Sequence, residues 1–138
     1  MPLARGGLVI AHEEEELVGL AGIVIELVIG EPDGPVLILA GNTPAFAVMS
    51  FAAQAAGRAA CPVSTTYAAL GGDYGRLAHV IAKVKPAVVF AEDTATAAAA
   101  LEALDLGAAK IVTTDPSRLS KPAISYAQML ATAPTEAV

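Results

Sequence analysis

The sequence predicts an α/β domain, a parallel sheet with helices on both of its faces. Three observations carry that prediction. Short strand-like runs recur along the chain at Val36–Ala40, Ala59–Val63, Ala87–Ala91 and Lys110–Thr114. Val36–Ala40 and Ala87–Ala91 are continuously apolar rather than alternating, which suits strands buried on both sides. Segments with helical spacing stand between them, joined by short links rich in glycine, proline and threonine. Strands alternating with helices in this way imply a parallel sheet covered on its faces.

Residues 1–34 form an N-terminal segment. Gly6-Gly7 precede Leu8-Val9-Ile10, which reads as a short strand. Glu13–Glu16 then stand before Leu17, Leu20, Ala21, Val24, Leu27 and Val28, which recur at helical spacing. Acidic residues in a first turn favour the positive end of a helix dipole. Gly19, Gly22 and the β-branched run Ile23-Val24-Ile25 oppose a helix. The competing reading is a hairpin turning at Glu31-Pro32-Asp33-Gly34.

Residues 35–138 read as a βαβαβαβ subdomain with a short terminal helix, the whole forming one compact domain. Val36–Ala40 is the first strand. Asn42 or Thr43 caps the helix that follows, and Pro44 suits its first position. That helix ends near Ala56-Gly57, with Phe46, Met49, Ala53 and Ala56 on one face. Ala59–Val63 is the second strand; Pro62 lacks a ladder donor and places it at an edge or an end. Ser64–Gly72 reads as a polar loop. Asp73–Lys85 has Leu77, Val80, Ile81 and Val84 at helical spacing, and Pro86 closes it. Ala87–Ala91 is the third strand, Thr94–Leu104 an alanine-rich helix ending near Gly107 and Lys110–Thr114 the fourth strand. Asp115–Pro122 is a loop, and Ser125–Ala133 a short last helix.

Composition excludes several functions. Hydrophobic residues make up 55% of the 138 and charged residues 16%, enough for a sizeable core and above the usual apolar share of about 45–50%. The excess implies a surface meant to be covered, by another copy or by a further part of a larger protein. The net charge is −6 and the eight Lys and Arg are scattered. No basic stripe exists to neutralise phosphates, which argues against nucleic acid and anionic membranes. Cys61 is the single cysteine, so neither an internal disulfide nor a thiol metal cluster is available, in keeping with a cytoplasmic setting. The longest apolar stretch, Leu17–Ile29, is broken by Glu26 and falls short of the roughly 18 residues of a membrane span.

Each candidate for chemistry has a plainer structural reading. Gly41-Asn42-Thr43 stands where a strand feeds a helix, the place where open α/β sheets hold ligands; a tight turn with a helix cap explains the same residues. Gly71-Gly72-Asp73-Tyr74-Gly75 has a phosphate loop's glycine content but follows no strand, and reads as a hinge. Glu92 and Asp93 end a strand and would need Asp115 as a third carboxylate to hold Mg²⁺, as in receiver-like folds; a solvated strand end paired with a helix dipole is the plainer account. His79 lacks a visible nucleophile or orienting partner, His12 reads as surface, and Cys61 beside Pro62 reads as a small buried hydrophobe. Ser64, Thr65 and Thr66 lie in no nucleophile elbow. The residues therefore assign no catalytic, cofactor-binding or metal position.

Pro35–Val138 resembles the N-terminal subdomain of the adenylate-forming, AMP-binding acyl-CoA synthetases. The resemblance is carried by P-V-L-I-L-A-G-N at Pro35–Asn42, A-A-G at Ala55–Gly57, C-P-V-S-T-T-Y at Cys61–Tyr67, L-A-H-V-I at Leu77–Ile81 and P-A-V-V-F-A-E-D at Pro86–Asp93. Within that superfamily it is most similar to feruloyl-CoA synthetases, which read "SGN", "PVSPAYS" and "KLRH" at the corresponding places. The tail, Ser125–Val138, resembles the segment preceding their phosphate-binding loop. Ala40 replaces a serine of that pattern, Thr65 replaces a proline, and Gly71-Gly72 stand where the pattern is more polar.

The resemblance implies a parent enzyme that makes an acyl-adenylate from a carboxylic acid and Mg-ATP, then passes the acyl group to CoA. ATP, Mg and CoA are cofactors of that parent; none is expected on this piece. Its implied partner is the remainder of the parent enzyme, and its bare apolar surface implies self-association. The alternative is a stand-alone, non-catalytic α/β module for binding or oligomerisation.

Overall fold

The computed structural model of the chain describes residues 3–5, 8–10, 34–69 and 74–131. Two short strands, β1 (Leu3–Arg5) and β2 (Leu8–Ile10), pair antiparallel, Leu3 opposite Ile10. The second coincides with the strand expected at Leu8–Ile10. The helix expected between Glu13 and Val28, and the hairpin strands that compete with it, lie outside the described residues.

The main body alternates strand and helix as expected. In chain order it comprises β3 (Val36–Leu39), α1 (Pro44–Ala55), β4 (Ala60–Val63), α2 (Thr66–Ala69), α3 (Gly75–Val84), β5 (Val88–Ala91), α4 (Thr94–Ala103), β6 (Lys110–Thr113), β7 (Ala123–Ser125) and α5 (Tyr126–Ala131). One 3₁₀ turn, Pro116–Arg118, precedes β7. The five strands β3–β7 form one sheet in the spatial order β4-β3-β5-β6-β7, parallel throughout. The order reverses between β3 and β5: the chain steps from β3 to one side, then returns to fill the other.

Helices cover both faces because successive strand residues point to opposite sides. Val36, Ile38, Val88, Phe90 and Val112 face α1 and α5, where Val48, Met49, Ala52, Ala53 and Met129 complete one core. Leu37, Leu39, Val89, Ala91 and Ile111 face the other side, against Leu77 and Ile81 of α3 and Ala97, Ala100 and Leu101 of α4. Every residue of β3 and β5 is buried, as their unbroken apolar runs require. Pro62 sits exposed on β4, an edge strand, where a missing donor does the sheet least harm.

Three local features depart from expectation. Ser64–Gly72 is not loop throughout: Ser64 Oγ accepts from the Thr66 backbone N–H at 3.2 Å, and that turn starts α2. Helix α3 starts at Gly75 rather than Asp73, with Tyr74 at its N-cap in the left-handed conformation (φ 53°) and no side-chain cap; Asp73 lies outside the described residues. Ala123–Ser125, expected at the junction of loop and last helix, is a fifth parallel strand pairing with Ile111–Thr113, and α5 begins after it.

Gly34, just before β3, has φ +148°, and a Cβ there would lie 2.9 Å from the Lys85 carbonyl oxygen. Buried Arg58 donates from Nη1 to the Gly34 carbonyl at 3.0 Å. Among the described residues, no helix is long and apolar enough to cross a membrane.

Candidate functional site

The reversal of strand order between β3 and β5 opens a crevice at their C-terminal ends. In open α/β sheets this switch point is where ligands bind, because the loops leaving the two strands turn to opposite faces. A pocket of about 360 Å³ occupies it here. Leu39, Ala40, Ala68 and Ala97 supply an apolar lining, and Thr43, Thr65 and Thr96 supply hydroxyls. Gly41 stands at the rim, where an added Cβ would meet nothing within 4 Å. Glu92 and Asp93 bring the charged groups.

Two helices start at this pocket, and both are already capped. Thr43 Oγ1 accepts from the Phe46 backbone N–H at 3.3 Å and donates to Glu92 Oε1 at 2.6 Å. One hydroxyl thus closes the α1 N-terminus and ties the loop after β3 to the end of β5. Asp93 Oδ1 accepts from the Thr96 backbone N–H at 3.3 Å, and Oδ2 accepts from Thr96 Oγ1 at 2.7 Å. The Thr96 hydroxyl, first among several donors, holds the Asp93 carboxyl below its ordinary value.

A lattice of threonine hydroxyls fixes the neighbouring strand ends. Thr113 Oγ1 donates to the Ala91 carbonyl at 2.6 Å, and Thr114 Oγ1 donates to the Glu92 carbonyl at 2.5 Å. Thr94 and Thr113 are buried and their hydroxyls lie 2.6 Å apart. Asp115 donates its backbone N–H to Thr94 Oγ1 at 2.9 Å. Tyr126 lies with its ring tilted 43° to that of Phe90, centroids 5.2 Å apart, and its hydroxyl's pKa is pushed up to about 12 by burial and by the nearby Glu92.

The structure brings together some of the residues singled out in the sequence and separates others. Gly41, Thr43, Glu92 and Asp93 share the pocket; of the two candidate caps it is Thr43, not Asn42, that caps α1. Asp115 is engaged elsewhere, accepting from Ser117 Oγ at 2.5 Å and Arg118 Nε at 3.2 Å. Among the described residues no group of three or more metal-ligating side chains gathers, so the Glu92–Asp93–Asp115 magnesium reading loses its third ligand. His79 is exposed on α3. Cys61 is partly exposed rather than buried, because β4 is an edge strand. Gly71–Asp73 and His12 lie outside the described residues. Thr65, Ala68 and Thr96 were not foreseen as pocket residues; their convergence depends on the strand order, which no local motif reports.

The pocket's chemistry does not fit a nucleotide's phosphates. No lysine, arginine or histidine is among the described residues that line it. The helix N-termini that would hold an anion are capped by Thr43 and Asp93. A phosphate oxygen about 4 Å from the exposed Asp93 carboxylate would meet about 1 kcal/mol of repulsion in water.

Comparison with known proteins gives a consistent picture. The family model "AMP-binding enzyme" matches residues 19–136. Among solved structures, the chain is similar to IdnL7, at 18% identity and a TM-score of 0.60, covering 80% of this chain and 22% of that one. It is also similar to apo MatB from Rhodopseudomonas palustris, at 22% identity and a TM-score of 0.56, covering 93% of this chain and 24% of that one. The chain thus spans less than a quarter of the length of either. No curated protein matches it.

Proposed function

The chain belongs to the AMP-binding enzyme family, and on that premise we propose that it is the N-terminal structural layer of an ATP-dependent acid–CoA ligase. The whole enzyme would convert a carboxylic acid and Mg-ATP to an acyl-adenylate, then transfer the acyl group to CoA. The observation that carries this reading is the extent of the family match, residues 19–136, over a chain whose described residues hold no catalytic constellation. The parallel sheet and its likeness in fold to two much longer chains support it.

In this reading the layer's work is mechanical. The two-sided core of β3 and β5 gives a rigid sheet, and the rest of the parent enzyme, its partner, packs against it. The unusually apolar composition, 55% of residues, suits a unit whose surface is covered in the parent and self-associates when it is not. Feruloyl-CoA synthetase is the closest functional type we propose, on the G-N, P-V-S and L-x-H spacings at Gly41–Asn42, Pro62–Ser64 and Leu77–His79. In this reading the capped switch-point pocket, lined by Glu92 and Asp93 and by no cation among the described residues, takes no part in phosphate chemistry.

The test is the coding sequence that follows Val138 in the native gene, with the activity of the protein it encodes. A Ser/Thr/Gly-rich loop with a lysine is expected downstream, and the encoded protein should exchange ATP and pyrophosphate faster with ferulate than with acetate. A native stop codon directly after Val138 would contradict the parent-enzyme reading and favour a stand-alone module. Faster exchange with acetate would contradict only the feruloyl assignment.

A further inference from the structure

We draw no further inference here: the strongest candidate, the groove of about 580 Å³ between the C-terminal ends of α3 and α4, lined by Ile81, Ala82, Pro86, Leu104 and Leu106, is an apolar face and nothing in the structure shows what covers it.

Discussion

Thr43 serves two structures with one oxygen, accepting from Phe46 to close α1 and donating to Glu92 across 49 residues of sequence. Replacing it with valine removes both contacts and should cost about 1–2 kcal/mol, the range for losing a cap, read as a lowered denaturant midpoint with unchanged slope. Serine should restore most of it. Three carboxyls sit below their ordinary values: Asp93 through the Thr96 hydroxyl, Glu102 through the Ser120 hydroxyl and Asp115 through the Ser117 hydroxyl. A depressed folded value contributes stability above the unfolded value and loses it as pH falls through the folded one. Stability should therefore hold above the ordinary values of 3.8 and 4.5 and decline below them, less steeply in Asp93→Asn. Tyr126 runs the other way. Its raised value means the unfolded chain releases the proton first, so stability should fall between pH 10 and about 12. Tyr126→Phe should remove that alkaline loss in a pH series of thermal melts.

At the scale of elements, the loop before β7 is held to α4 by a compact set of bonds. Glu102 accepts from the backbone N–H groups of Ser120 at 2.8 Å and Lys121 at 3.4 Å, and also from the Ser120 hydroxyl. Lys121 Nζ donates to the Leu101 and Leu104 carbonyls, each at 2.7 Å, closing the C-terminus of α4. Glu102→Ala should release this loop and the edge strand β7 while leaving β3 and β5 intact. Hydrogen exchange should report faster amides at 120–125 and unchanged ones at 36–39. This region also marks where sequence reading reached its limit. β3 and β5 were legible because burial on both faces leaves an unbroken apolar run. Ala123-Ile124-Ser125 is too short to show a period, follows a proline and is only half-buried, so it carried no strand signal. α2 was hidden for a similar reason: four residues nucleated by a serine–threonine turn look like loop. Of the candidate site, Thr43, Glu92 and Asp93 were each visible as caps or strand-end acids. Their meeting was not, because it depends on β3 and β5 being neighbours.

For the whole molecule, the core is two-sided and centred on β3 and β5, so large truncations there should be felt throughout. Phe90, fully buried with its ring tilted against that of Tyr126, should cost about 3–5 kcal/mol when cut to alanine, a large share of the roughly 5–15 kcal/mol that holds an ordinary domain folded. The same framework shows how the described polar groups at one end of the sheet are used. At the strands' C-terminal ends they bond to each other and to the backbone, as caps and hydroxyl ties. Our proposal is that this chain is a structural layer of an adenylate-forming enzyme and does not by itself form an adenylate. Carboxylate-dependent ATP–pyrophosphate exchange by the purified 138-residue chain, with ferulate and Mg-ATP supplied, tests it most directly. The account predicts no exchange above the rate without protein. Exchange that depends on both ferulate and the chain would contradict it.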